Sequence, residues 1–115
     1  MLLISRSPSE SVMVNDDLLL KVVEIDTTRV SIIVYRRPPG GRLSSFHEFG
    51  KAWLKCRETI SLGHDASCSA VDIQGGRVQL GFTGPKEMTV QRREAFDAIR
   101  QERGGDEKPG SAGLR

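Results

Sequence analysis

The 115-residue sequence predicts a mostly β fold built from two copies of one five-stranded unit, closed by a single C-terminal α-helix. Three observations carry this reading. Short β-branched and leucine-rich runs recur at the spacing of strands, each ended by turn residues. The chain matches itself at an offset of 48 residues. Only Arg93–Arg103 has helical periodicity, with Phe96 and Ile99 three apart on one face among Arg, Glu, Asp and Gln.

Met1–Arg6 reads as the first strand and Ser7-Pro8-Ser9 as the turn that follows. Val12–Val14 is a short second strand ending at Asn15-Asp16-Asp17, and Leu18–Ile25 is a longer, almost continuously apolar third. In the fourth, Val30, Ile32 and Val34 alternate with Ser31, Ile33 and Tyr35. Arg36-Arg37-Pro38-Pro39-Gly40-Gly41 then breaks the sheet, because prolines offer no ladder donors, and the arginine pair reads as part of a solvated linker. Arg42–Phe46 is a poor closing strand, and Ala52–Cys56 a weak opening one for the second copy. Ile60–Leu62, Ala66–Ile73 and the alternating Val78, Leu80 and Phe82 repeat the plan, with turns at Gly63-His64-Asp65 and Gln74-Gly75-Gly76. Met88–Arg92 is one more short strand. Gly104-Gly105 stops the helix, and the polar stretch after it reads as a disordered tail over 104–115.

The repeat pairs Glu10 with Glu58, Asp17 with Asp65, Val23 with Val71, Ile25 with Ile73, Arg29 with Arg77 and Val30 with Val78. No insertion is needed between Glu10 and Val34, so turns coincide with turns and strands with strands. Copy one covers about 1–46 and copy two about 51–103, forming one domain over 1–103. Burying Val30, Ile32 and Val34 against Val78, Leu80 and Phe82 takes ten strands in one domain, with Trp53 plugging the core where the copies meet.

Seventeen basic against fifteen acidic side chains leave a net charge of +2, so any nucleic acid must be held by a local patch. No apolar run approaches the roughly 18 residues of a membrane span, and the first residues lack the pattern of a secretory signal. Cys56 and Cys68 read as small, partly buried, reduced thiols, which fits a cytoplasmic protein. His47 and His64 lie in no catalytic order, and no metal-ligand spacing or phosphate-binding glycine loop is present, so neither an enzyme nor a cofactor is expected. Six aromatic residues argue against a module that stacks bases on an aromatic sheet.

Met1-Leu2-Leu3-Ile4-Ser5-Arg6, Glu10-Ser11-Val12-Met13-Val14 and Val30-Ser31-Ile32 resemble the front of the carbon storage regulator (CsrA/RsmA) family. Gly76–Glu94, with its Gly-Pro-Lys-Glu turn and Val-Gln-Arg strand end, resembles that family's most distinctive stretch. The resemblance implies two interlaced CsrA-like five-stranded units in one chain, a monomer acting as a pseudo-dimer in place of the family's homodimer. It implies sequence-specific binding of GGA-containing hairpin loops in mRNA leaders or small regulatory RNAs, with translational repression as the outcome.

Carried over by position, the RNA-binding residues are Ile4 and Arg6 on the first strand and Pro85, Lys86, Val90 and Arg92 near the last, with the two strands side by side. The arginines would offer guanidinium forks to phosphates or guanine edges, Lys86 a diffuse cation, and Ile4 and Val90 an apolar wall for an unstacked base. Apart from the resemblance, Arg6 is an ordinary edge-strand charge, and Arg92 and Arg93 are satisfied as readily by Glu94 or Asp97. Ser7 stands where a second arginine is usual, Gln79 replaces an arginine and Gln91 a histidine. The reciprocal edge, from Trp53–Cys56 and Arg42–Phe46, lacks a strand-end arginine, because Ser45 falls near its place. Arg42, Lys55 and Arg57 remain there for non-specific contact. One competent site is therefore expected, and a module that binds a protein antagonist instead of RNA is the alternative.

Overall fold

A computed structural model describes residues 1–38 and 46–95. Nine strands form two antiparallel sheets among these residues. β1 (Leu2–Arg6), β8 (Arg77–Thr83), β7 (Ala66–Gln74) and β6 (Thr59–Gly63) make a four-stranded sheet in that order. β5 (His47–Lys55), β4 (Arg29–Arg36), β3 (Leu18–Ile25), β2 (Ser11–Val14) and β9 (Val90–Arg92) make a five-stranded one. Each sheet thus borrows strands across the repeat: β1 pairs with β8, while β5 and β9 flank β4 and β2.

The inner faces share one core. Val30, Ile32 and Val34 meet Val78, Leu80 and Phe82 as the alternation requires, joined by Val12, Val14, Leu18, Leu20, Val22, Leu54, Leu62, Cys68 and Ala70. The third strand reads as continuously apolar because it serves two clusters. Leu18, Leu20 and Val22 face the core, whereas Leu19 packs outward with Met13, Tyr35 and Phe46.

The 48-residue offset is a structural repeat down to single hydrogen bonds. The ladder of β3 on β4 slips at Val23 and that of β7 on β8 at Val71, the same place in both halves. Ser9 N–H donates to Val22 O as Arg57 N–H does to Ala70 O, and Ser9 and Arg57 share a positive φ. Glu10 recurs as Glu58 for a physical reason: its carboxylate caps the turn, accepting from Ser7 N–H at 2.7 Å, and Glu58 accepts from Lys55 N–H at 2.8 Å. The turns between β3 and β4 and between β7 and β8 differ. Gly75 and Gly76 both take positive φ, as a two-residue hairpin of this twist requires.

Several expectations change. β5 begins at His47, five residues before the expected Ala52. Trp53 is no core plug: it neighbours the inward Leu54, so strand alternation turns it outward, 44% exposed, with the Arg29 guanidinium 4.1 Å from its ring centre. Arg36 and Arg37 are not a solvated linker. Arg36 ends β4 and lies over the Phe49 ring, and Arg37 donates through its backbone to Asp17 O and its side chain to Asp16 O. Of the two thiols, Cys68 is fully buried and Cys56 exposed. Arg93–Ala95 are helical, while the rest of the expected helix, the tail over 104–115 and residues 42–45 of the poor closing strand lie outside the described residues.

Candidate nucleic-acid interface

β1 and β9 are the outer strands of different sheets, so they are not ladder neighbours: β1 bonds to β8 and β9 to β2. They meet at one rim of the sandwich, where the Arg6 side chain at the end of β1 reaches Glu94, two residues past β9. The expected side-by-side placement of the two strands is therefore not found, and the link between them is this one side-chain hydrogen bond.

On β1, Ile4 points inward and packs against the core, and its half-burial leaves part of the side chain on the rim. Arg6, on the same face, is only 4% exposed. Its guanidinium donates to Ser5 O at 2.9 Å, Ser11 O at 3.3 Å and Glu94 Oε1 at 3.1 Å, and lies 3.6 Å from Glu10 Oε1. A buried guanidinium needs such acceptors, because desolvating it unpaired is costly. The Arg6 hydrogen bond is in turn the largest reason that the Glu94 carboxyl titrates below its ordinary 4.5, with its own backbone N–H helping.

The other four residues lie along β9 and the loop before it. Pro85 and Lys86 are exposed, and Met88 N–H closes the turn on Pro85 O at 3.0 Å. Thr89 is fixed to the β2 turn in both directions, accepting from Asn15 N–H at 2.7 Å and donating to Asn15 Oδ1 at 3.0 Å. Val90 pairs with Val14 and is half-buried, whereas Arg92 pairs with Val12 and is exposed. The six residues thus comprise one exposed guanidinium, one exposed ammonium, two partly exposed aliphatic side chains, an exposed proline and one guanidinium held under two carboxylates; Arg6 meets the β9 side through Glu94, whereas Pro85 lines a cavity with Asn15 and His64 before β9 begins.

Two participants escaped the sequence reading. Glu94 covers Arg6. Arg77 donates from Nη1 to Ser7 Oγ at 2.9 Å, bringing a cation to the place where a second strand-end arginine is missing. The antiparallel register, which sets Arg6 opposite Val78, is the signal that would have found it.

Fold and rim together define a small β-sandwich protein whose distinctive chemistry lies on strand edges. The profile of the CsrA global regulator protein family matches residues 54–101. A translational regulator CsrA from Rhodopirellula baltica is 40% identical over 47 residues, which is 41% of this chain and 67% of that protein. One from Syntrophomonas wolfei is 38% identical over 45 residues, 39% of this chain and 59% of that protein. No solved structure gives a significant match. The chain belongs to the CsrA family.

Proposed function

We propose that this protein is an RNA-binding post-transcriptional regulator that holds a GGA-containing hairpin loop across the β1–β9 rim and so occludes a ribosome-binding site. The observation that carries it is the hydrogen bond from Arg6 to Glu94, which joins the end of β1 to the residues just past β9, with Arg92 exposed on β9 and Lys86 exposed on the loop before it. Lys86 and Arg92 engage phosphates or a guanine edge, and Ile4 and Val90 flank an unstacked base beside Pro85. Arg6 joins when a phosphate or base edge replaces the Glu94 carboxylate. The chain acts as a pseudo-dimer by itself.

The repeat supports a single competent site. Ala52 and Leu54 stand where Ile4 and Arg6 stand, and Leu54 faces Val30 as Arg6 faces Val78. An apolar side chain, 3% exposed, thus replaces the strand-end guanidinium. With one site the protein forgoes the avidity of bridging two GGA elements.

A gel-shift titration with a GGA-loop hairpin and its scrambled counterpart tests the reading. Tight, GGA-dependent binding at one RNA per chain is expected. Arg92→Ala weakens it by about 1–3 kcal/mol, roughly 5- to 150-fold in Kd, with an unchanged unfolding midpoint. Equal binding of both hairpins, or none, favours the alternative of a module that binds a protein antagonist, to which the deeply held Arg6 also lends weight.

A further inference from the structure

The outward faces of β1 and β5 share one backbone plan and differ in chemistry. At the 48-residue offset Leu3, Ser5 and Ser7 fall on Lys51, Trp53 and Lys55. β1 runs beside β8 with Ser5 opposite Gln79, and β5 runs beside β4 with Trp53 opposite Ser31. Leu54 is buried in the core, so parity sets Lys51, Trp53 and Lys55 together on the outer face of the five-stranded sheet. The strand with leucine in place of the rim arginine thus gains two lysines and an indole on its other side.

Lys51 and Lys55 stand about 7 Å to either side of Trp53 along the strand. Arg29 lies opposite Lys55, and Lys21 continues the row of Lys51 across Ile33. The Arg29 guanidinium covers the indole while Asp26 accepts from its Nε at 3.4 Å. Its repeat equivalent, Arg77, meets a serine at the matching edge and donates to Ser7 Oγ. Among the described residues, the ammonium groups of Lys21, Lys51 and Lys55 form no ion pair. The carboxylates nearby are Glu24, opposite Ser31, Asp26 on Arg29, and Glu58 on the Lys55 N–H. Residues 39–45 enter from the His47 end of the ladder, about 20 Å along β5 from Trp53, beyond their out-and-back reach of about 14 Å.

A lone exposed aromatic residue needs no explanation. An indole framed by four cations, three of them without a carboxylate, has the composition of a platform for single strands, where phosphates follow a basic track and a base lies on a ring. A sheet of stacked bases needs several rings, whereas a single base needs one. We propose that this face is a second site, which binds single-stranded RNA without regard to sequence. A base adds to the Trp53–Arg29 stack, since a guanidinium plane stacks on bases as a ring does, and the phosphates on either side lie on Lys51 and Lys55. Where the rim holds a hairpin, this face grips the single strand leading from it, and a second contact restores part of the avidity that one GGA site forgoes.

Trp53 is the only tryptophan in the chain, so its fluorescence reports on this face alone. The test titrates the full chain with a short oligouridylate. Saturable quenching is expected, with log K falling against log salt at a slope of about −2 to −3 for three or four phosphates neutralised. Trp53→Leu, at an exposed position, is expected to unfold as cooperatively as the parent and to bind a labelled oligouridylate roughly 5- to 150-fold more weakly, the worth of one stacked base. An abasic strand of the same length is expected to bind the parent as weakly as the oligouridylate binds that variant. Lys55→Gln keeps the indole and is expected to make the slope shallower by about 0.7. Absence of quenching up to about 1 mM strand, weaker than ordinary non-specific contacts, overturns the proposal. So does full-strength binding by Trp53→Leu, equal binding of the abasic strand, or quenching by a polyglutamate peptide in place of RNA. The oligouridylate carries no GGA, so its failure to bind is separate from failure of the regulator reading.

Discussion

Glu94 is an exposed carboxylate with a buried partner: its side chain is 65% exposed, whereas that of Arg6 is 5% exposed. The pair therefore works as a surface latch on an inner cation. Because Arg6 holds the Glu94 carboxyl below its ordinary 4.5, the latch is fully closed above that value and opens as pH falls through the lowered one. Glu94→Gln is expected to tighten RNA binding severalfold at pH 7, since an incoming phosphate no longer competes with a carboxylate, and parent and variant are expected to converge as the pH falls well below 4.5. Fluorescence anisotropy with a labelled hairpin across a pH series measures both. The sequence pointed to Arg6 without showing its burial, because the covering contact spans 88 residues of chain. Arg77 was hidden for the same reason, lying across a ladder from Ser7.

Among the strands, alternation made β4 and β8 legible, since every second residue enters the core. β5 was read poorly: with Gly50, Lys51 and Ala52 before Trp53, its inward residues are too small for its apolar face to show. The large indole was therefore assigned inward, against the parity that Leu54 sets. Glycines in two strands make opposite predictions. At Gly81 a Cβ would stand 2.5 Å from Met1 Sδ and 2.8 Å from Val71 Cγ2, whereas at Gly50 it meets nothing within 4 Å. Gly81→Val is thus expected to cost about 1–3 kcal/mol by overpacking. Gly50→Ala is expected to gain about 0.4–1 kcal/mol from the stiffer unfolded chain. Thermal unfolding of the two variants beside the parent checks the signs.

For the whole molecule, the 48-residue repeat was the most informative sequence signal, because strands fall opposite strands at that offset, and the structure adds a ladder slip at the same place in each half. Which half supplies each outer strand was legible only through family resemblance, since strand order leaves no periodic trace. Cys68 offers a reporter on this shared core. It is fully buried, and burial pushes its thiol up to about 12, so it stays protonated and shielded at neutral pH. In a Cys56→Ser variant, native-state labelling of Cys68 by a thiol reagent is expected to proceed only through global opening, with a free energy equal to that from urea denaturation. Labelling at a lower free energy would reveal local parting of the sheets.

The borrowing of strands also governs how the chain is made. Leu2 finds its partner Phe82 only after some 80 further residues have been synthesised, an interval of about 4–16 s at ordinary translation rates. Until then the apolar β2–β4 meander has neither the opposing sheet nor its covering strand β9. Non-local pairing of this kind raises contact order and slows folding. The nascent polypeptide is therefore expected to be most prone to aggregation before its final strands emerge.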